Sequence, residues 1–355
     1  MSAGFMIRRC IPGAWYLAFA ASVPSMACQQ PAVVPCNLLH STELEESGRQ
    51  ALGNKQYAAA ANAFQQAFDA CPAQHTALLA LSEANTHRRE FGLAIEAGRR
   101  YLELEPDSVP GRLALANAYF MAQRLPEALE QAEAALKTEP AQPTALKLKG
   151  NIDYLSGRLD SALNSFVLLL DRHPQDPEAA YMLGRIYYQE GRIDYAIGQF
   201  QRVLKIDPAA YKAYDNLGLC YQAKGDTETA IRYFLTSIKL VEKDHPDYDW
   251  AYANLADLLV EKGDAEKAFS AASKAADRNP YSARNFYLGA KALWKLGKTE
   301  LCLNWLQRSV SLDPNYPEPQ YLLARVYTQL GQDTEAKAAL ERFRALKASA
   351  PRQRK

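Results

Sequence analysis

Small residues recur along this chain at fixed points in a pattern that returns every 34 residues. At one recurring position every copy has a small apolar residue: Ala60, Ala94, Ala128, Ala162, Ala196, Ala230, Ala268, Cys302 and Ala336. Twelve residues earlier the residue is again always small: Gly48, Ser82, Ala116, Gly150, Gly184, Gly218, Ala256, Ala290 and Ala324. Small residues at two fixed points allow two helices to cross closely, so we predict that each copy is an antiparallel helix pair.

Prolines and glycines mark the ends of the predicted helices with the same period. Prolines follow the second helix, where they stop it: Pro72, Pro106, Pro140, Pro174, Pro208, Pro280 and Pro314. Glycines lie between the two helices in the last six copies, where a left-handed residue closes the first helix: Gly157, Gly191, Gly225, Gly263, Gly297 and Gly331. Each copy buries its apolar face against its neighbours, so the predicted fold is an all-α solenoid.

Nine units of 34 residues account for residues 41–350. They begin at Ser41, His75, Val109, Pro143, Pro177, Tyr211, Asp249, Ala283 and Pro317. The four residues 245–248 interrupt the period, and the sixth unit has Glu242 at the position that proline occupies in seven of the units. We expect this insertion to change the stacking angle or to lengthen a helix. It divides the chain into units one to six (41–244) and units seven to nine (249–350).

The aromatic and small residues within the units resemble the tetratricopeptide repeat. The fifth unit has Leu183-Gly184, Tyr187, Ala196, Phe200 and Pro208, and the sixth has Tyr214, Leu217-Gly218, Tyr221, Ala230 and Phe234. This family has the same period and pattern. The resemblance implies a right-handed α-α superhelix of nine helix-turn-helix repeats. Three units depart from the pattern, with Gly98, Ala132 and Ala272 in place of the large residue at position 24. We expect these pairs to pack less tightly or to be filled by neighbouring side chains such as Tyr101.

The first 27 residues have the composition of an export signal. Arg8 and Arg9 precede an apolar stretch, and residues 25–27 provide a small-x-small cleavage site. The apolar stretch is too short for an ordinary transmembrane helix, so no membrane span is expected after cleavage. We therefore expect a periplasmic or secreted protein; an uncleaved anchor and a lipoprotein attached at Cys28 are the alternatives.

Cysteines of an exported protein meet an oxidising compartment. Cys36 precedes the first helix in the lead-in segment 28–40, and Cys71 ends the second helix, so antiparallel packing brings them together. We predict a Cys36–Cys71 disulfide, with a Cys28–Cys36 bond or free thiols as alternatives. Cys220 and Cys302 fall at or near the helix crossing and are predicted to be buried small hydrophobes.

Composition and motifs argue against several function classes. Charge is balanced, at 41 basic and 40 acidic residues, which does not favour nucleic-acid binding. The sequence has no glycine-rich phosphate loop, nucleophile elbow or two-histidine zinc helix. Its five histidines share no metal-ligand spacing. We predict a non-catalytic protein without metal or cofactor, and an enzyme ranks third among the functions considered. The basic tail 351–355 is expected to be solvated.

The resemblance implies that positions 5, 9 and 12 of each first helix line a concave groove. These positions form two clusters of aromatic rings with cationic or amide donors. The central cluster contains Asn117, Phe120, Lys147, Asn151, Tyr154, Tyr181, Arg185 and Tyr188. The C-terminal cluster contains Tyr287, Lys291, Trp294, Tyr321 and Arg325.

Three interpretations of these clusters stay open at the level of sequence. Donors and rings of this kind can hold an extended peptide backbone or a terminal carboxylate, and protein or peptide binding is the leading hypothesis. The same rings can stack on sugars, so an accessory role in envelope assembly or polysaccharide export is the alternative. In the third interpretation the rings only pack against adjacent repeats and the charges are solvated.

Overall fold

The computed structural model describes residues 36–349 and contains only helices and their connections in that range. The predicted leader 1–27, Cys28 and the tail 351–355 lie outside the described residues. Within residues 36–349 no helix is both long and apolar enough to span a membrane. The helices form nine consecutive antiparallel pairs, in agreement with the predicted solenoid.

The first helix of each pair carries an odd number: α1 Leu38–Gly53, α3 Thr76–His87, α5 Val109–Met121, α7 Pro143–Leu155, α9 Pro177–Gln189, α11 Tyr211–Ala223, α13 Trp250–Lys262, α15 Ala283–Lys295 and α17 Pro317–Gln329. The second helix carries an even number: α2 Tyr57–Ala70, α4 Phe91–Leu104, α6 Leu125–Thr138, α8 Leu159–Arg172, α10 Ile193–Ile206, α12 Thr227–Asp244, α14 Ala265–Arg278, α16 Thr299–Leu312 and α18 Asp333–Ser349.

Side-chain caps and prolines set where the first helices begin. The Ser108 hydroxyl accepts a hydrogen bond from the Gly111 amide at 3.2 Å, and the Asp176 carboxylate accepts one from the Ala179 amide at 2.9 Å. Such caps satisfy amides that the helix itself leaves unpaired. Pro177 occupies the first turn of α9, where its missing N–H costs nothing.

The predicted crossing positions are the tightest points of each pair. Ala196 is fully buried, and a Cβ added at Gly184 would come within 2.6 Å of the Phe200 ring. The same ring-on-glycine contact occurs between Gly48 and Phe64 and between Gly150 and Phe166. The glycine therefore provides the space into which the phenylalanine of the second helix packs.

The residue that closes the first helix is left-handed in every unit, including the three that lack glycine there. The six predicted glycines have φ between +69° and +92°. Lys55, Arg89 and Gln123 occupy the same place with φ of 58°, 64° and 60°, and their side chains are exposed. A non-glycine residue is strained in this conformation, by about 1–2 kcal/mol. The first three units therefore carry strain that the last six avoid.

Exchanging the residues of two neighbouring units should reveal this strain. We expect Gln123→Gly to raise the free energy of unfolding by about 0.5–1 kcal/mol, because relief of the left-handed strain exceeds the extra entropy of the unfolded glycine. The matched change Gly157→Gln should lower it by a similar amount. Urea denaturation followed by circular dichroism measures both. Equal effects of the same sign in the two variants would contradict this explanation.

The four extra residues lengthen α12 by one turn. Every second helix from α2 to α16 has 14 residues except α12, which has 18 and continues to Asp244. His245 then caps α12 as His173 caps α8, and Pro246 follows as Pro174 does. This corrects the assignment of residues 245–248 as the insertion: they are the ordinary connection. The sixth unit therefore has its proline after all: Pro246 follows the lengthened α12.

The lead-in segment before the first unit is tied to the end of α2. Cys36 and Cys71 form a disulfide. The Asn37 amide donates to the Ala70 carbonyl at 2.9 Å, so the start of the unit is also tied to the end of α2 by a backbone hydrogen bond. Helix α1 begins at Leu38, three residues earlier than the predicted lead-in boundary. Cys220 and Cys302 are free and fully buried, as predicted.

Candidate functional site

A cavity of about 640 Å³ lies along the first helices of units four to eight. Four residues of the predicted central cluster line it: Tyr154, Tyr181, Arg185 and Tyr188. On α9 the last three are spaced i, i+4 and i+7, which places them on one helix face. Tyr154, near the end of α7, completes the aromatic side. We call this cavity the central groove.

Arg185 presents its charge in the central groove without an acidic partner. Its guanidinium lies 4.7 Å from the centre of the Tyr154 ring, a cation–π arrangement that holds it in place. One guanidinium nitrogen is 3.9 Å from the Met182 sulfur. Among residues 36–349, no carboxylate lies within ion-pair distance of Arg185. The cation is therefore free to meet a bound anion.

The structure separates the other half of the predicted central cluster from this groove. Asn117, Phe120, Lys147 and Asn151 do not line the cavity. Lys147 pairs with Asp176 at 2.8 Å and with Glu178 at 3.1 Å. Burial disfavours its charge, but the two hydrogen-bonded carboxylates outweigh burial and raise the pKa of Lys147. Its charge is already neutralised within the chain, so Lys147 lacks the free charge of a carboxylate clamp.

The groove continues into units six to eight, beyond the residues singled out from the sequence. The additional lining residues are Lys212, Asp215, Asn216, Leu219, Tyr248, Trp250, Asn254 and Arg284. Asp215 and Leu219 occupy positions 5 and 9 of unit six, so their columns already marked them as groove residues. Tyr248 follows the lengthened α12, and the sequence pattern gave no sign that it reaches this cavity.

Asp215 is a buried carboxyl group at the lining of the groove. It is 3% exposed and accepts hydrogen bonds from the Tyr248 hydroxyl at 2.7 Å and from the Asn254 side-chain amide at 3.0 Å. Burial raises the pKa of Asp215, and these two hydrogen bonds lower it less. The pKa of Tyr248 is raised as well, first by burial and then by the adjacent Asp215 charge.

The C-terminal cluster is held together by contacts among its own members. The Arg325 guanidinium lies 5.2 Å from the Trp294 ring centre. Lys291 pairs with Asp257 at 2.8 Å and lies 5.8 Å from the Tyr287 ring centre. Burial raises the pKa of Tyr287 to about 12. Tyr321, in the last unit, is 48% exposed. This second surface therefore offers Arg325 and Tyr321 to a partner, while Lys291 is neutralised.

The described residues contain no group of three or more His, Cys, Asp or Glu side chains arranged to hold a metal ion. The histidines make isolated contacts. His75 is 2.9 Å from a Glu105 oxygen, and His87 stacks on Tyr57 with ring centres 4.7 Å apart. The lining of the central groove consists mainly of aromatic rings, side-chain amides and charged groups.

Family models described as tetratricopeptide repeat match most of the chain. The matched residues are 46–109, 113–177, 153–211, 210–280, 283–316 and 320–346. These matches leave few residues of the described solenoid uncovered. A comparison with curated protein sequences finds no match.

Solved structures with a similar fold include a chain of the APC/C hetero-tetramer Cut9-Hcn1. It is 17% identical, with a TM-score of 0.61, and the alignment covers 76% of this chain and 52% of that one. A MamA crystal structure is 23% identical with a TM-score of 0.43, covering 48% of this chain and 92% of that one. MamA from residue 41 onward, from Desulfovibrio magneticus RS-1, is 17% identical with a TM-score of 0.42, covering 49% and 96%. The Cut9-Hcn1 likeness supports the solenoid fold and nothing further.

Proposed function

We propose that this protein, which belongs to the tetratricopeptide repeat family, is an interaction scaffold that holds an extended polypeptide in its central groove. Repeats of this fold are typical of non-catalytic proteins that bind other proteins. Beyond the family, we propose that the partner is a polypeptide, that it binds in an extended form and that it lies in the central groove.

The observation that carries the proposal is the free Arg185 guanidinium over the Tyr154 ring. An arginine that stacks on a ring in a groove and has no acidic partner is arranged for a ligand, because its charge-assisted hydrogen bonds stay available for a bound anion. The guanidinium lies 4.7 Å from the ring centre, and this cation–π contact favours the stacked position of the side chain. Binding then costs little further side-chain entropy.

The rest of the groove suits a polypeptide backbone. The side-chain amides of Gln189 and Asn216 line it together with the tyrosines and Trp250. Amides donate to and accept from peptide groups, and the rings cover apolar side chains of a bound segment. The cavity of about 640 Å³ is open along the first helices of several units, as an extended segment requires.

Removing both members of the stacked pair should abolish most of the binding. We expect Tyr154→Ala with Arg185→Ala to reduce captured partner at least about tenfold, because buried aromatic and arginine residues dominate interfaces. The measurement is affinity capture from native extract with quantitative mass spectrometry, followed by titration of the partner found.

A matched pair outside the groove provides the control. Arg192 lies 4.5 Å from the ring centre of Tyr195, so Tyr195→Ala with Arg192→Ala removes the same kind of contact elsewhere. This control should retain the partner, and both double variants should keep their helical circular dichroism. Unchanged capture by the groove variant would sink the proposal. If the groove variant loses binding to a glycan array but retains binding to peptides, the ligand of the groove is a sugar and not a polypeptide.

A further inference from the structure

Asp215 is a buried carboxyl group for which the free protein provides no direct cationic partner. Both of its hydrogen-bond donors, Tyr248 and Asn254, are neutral. Within residues 36–349, no lysine, arginine or histidine nitrogen lies within 4.0 Å of its oxygens. A buried carboxylate without a cation is expensive, because hydrogen bonds to neutral groups replace only part of its lost hydration.

The charged groups around Asp215 do not remove this cost. Arg284, on α15, donates instead to the Asn254 side-chain oxygen at 2.9 Å, lies 4.0 Å from Asp257 and is 5.8 Å from the Trp250 ring centre. Its charge lowers the pKa of Asp215 less than burial raises it, and the charge of Asp249, at the start of α13, raises it further. Lys212, on the same helix as Asp215, is exposed and lies 5.9 Å from the Tyr211 ring centre.

Asp215 and Arg185 lie on the first helices of adjacent units, and both line the central groove together with Tyr181. Burial is the main cause that raises the pKa of Tyr181; the Arg185 charge lowers it and the Asp215 charge raises it, so both charges act on this hydroxyl. The hydroxyl also accepts a hydrogen bond from the Asn216 amide at 3.1 Å, which ties the two units together. The groove thus presents an unpaired cation and an uncompensated carboxyl group to the same bound segment.

We propose that the polypeptide bound in the central groove carries a lysine or arginine side chain that pairs with Asp215 and an acidic side chain that pairs with Arg185. Asp215 is then a specificity-determining residue. This inference rests on the proposed function, since it names the chemistry of the segment that the groove holds. A ligand cation on Asp215 also offsets the burial of its charge, which the free protein leaves uncompensated.

Asp215→Asn separates a binding role from a structural one. Asparagine has nearly the same shape and keeps an acceptor for Tyr248 or Asn254, while the buried charge is removed. We expect the melting temperature to be equal or higher than in the wild type. Because burial raises the folded-state pKa of Asp215, wild-type stability falls relative to the variant as pH rises above the ordinary aspartate value of 3.8. A purely structural acidic residue would instead lower stability when replaced.

The binding test uses a phage-displayed library of random twelve-residue peptides selected on the full chain. We expect wild-type selections to be enriched in peptides that carry both a basic and an acidic residue. For the enriched peptides, synthesised and titrated by fluorescence anisotropy, Asp215→Asn should weaken binding at least about tenfold. Replacing the peptide's basic residue with alanine should have the same effect in the wild type and little in Asp215→Asn.

The control is Asp160→Asn, which removes an equal charge from an exposed position of α8 and should leave affinity unchanged. Selected peptides that bind through Arg185 but show no preference for a basic residue would overturn the inference and leave the proposed function standing. The inference also fails if Asp215→Asn lowers the melting temperature and weakens all peptides equally. Failure to enrich any peptide that depends on Tyr154 and Arg185 would reject the polypeptide groove itself.

Discussion

Gly184→Ala should lower the free energy of unfolding by about 2 kcal/mol, although alanine is the better helix former. The added Cβ would lie 2.6 Å from the Phe200 ring, which is fully buried and cannot move aside without disturbing its neighbours. Overpacking of this kind forces side chains out of their preferred rotamers. Urea denaturation of the full chain, with separate probes in unit five, measures the loss.

A second substitution should recover part of this loss. Phe200→Leu alone leaves a cavity beside Gly184 and costs about 1–2 kcal/mol. Together the two changes reproduce the alanine–leucine pairs that the chain has in its last two units, Ala290 with Leu306 and Ala324 with Leu340. The double variant should therefore be more stable than the sum of the single effects predicts, by about 1 kcal/mol or more.

Gly198 offers a control in the same unit. A Cβ added there meets no atom within 4 Å, so Gly198→Ala should raise stability by about 0.5–1 kcal/mol through helix propensity alone. Opposite signs at Gly184 and Gly198 would show that contact with Phe200 decides the outcome. If Gly184→Ala is as stabilising as Gly198→Ala, the crossing is not close-packed and the size-matching argument is wrong.

The same pairs show what the sequence pattern contained. Each column of small residues was visible, and it correctly predicted the close crossing of two helices. The complementarity between the two columns is a property of residue pairs, and neither column shows it alone. The three units that lack a large residue at position 24, on the second helix, also lack glycine at the crossing position of the first. Their pairs are Ser82 with Gly98, Ala116 with Ala132 and Ala256 with Ala272. Volume is matched across the pair, and Leu115 of the next helix approaches within 3.3 Å of a Cβ built on Gly98.

The groove was harder to predict because it depends on geometry across several units. Columns 5, 9 and 12 contain Tyr154 and Arg185, which line the cavity, but also Lys147 and Asn151, which do not. Which of them share a cavity depends on how successive helix pairs are rotated, and a repeat pattern does not encode that rotation. Nor did the pattern reveal that Lys147 is neutralised by Asp176, since that ion pair joins α7 to the residue that caps α9. The extra turn of α12 comes shortly before Tyr248. The irregularity in the repeat therefore places Tyr248 in the groove.

The Cys36–Cys71 disulfide bears on where the protein works. A structural disulfide persists in an oxidising compartment. We therefore propose that the chain is exported, as the composition of residues 1–27 predicts. Non-reducing peptide mapping of protein isolated from its native source tests this directly. Recovery of Cys36 in alkylated form without reduction would contradict both the native bond and this reason for proposing export.

Replacing both bonded cysteines with serine should destabilise the first unit by about 3–4 kcal/mol. The bond joins residues 35 apart in sequence, so its loss frees a long loop in the unfolded state. Since each unit of a solenoid contacts only its neighbours, the effect should stay near α1 and α2. Hydrogen exchange should show faster exchange in Leu38–Gly53 and Tyr57–Ala70, with α9 to α12 unchanged.

Two hydrogen bonds in the same unit determine how far the damage extends. The Ser41 hydroxyl donates to the Ala67 carbonyl at 2.8 Å, and the Asn37 amide donates to the Ala70 carbonyl. These contacts survive the substitution, so α1 should open more often without detaching permanently. Reductant should reproduce the effect in the wild type and add nothing to the serine variant, because Cys220 and Cys302, the other cysteines within residues 36–349, are already free. Equal exchange in the oxidised wild type and the serine variant would mean that packing of α1 on α2, and not the covalent bond, holds this end of the solenoid.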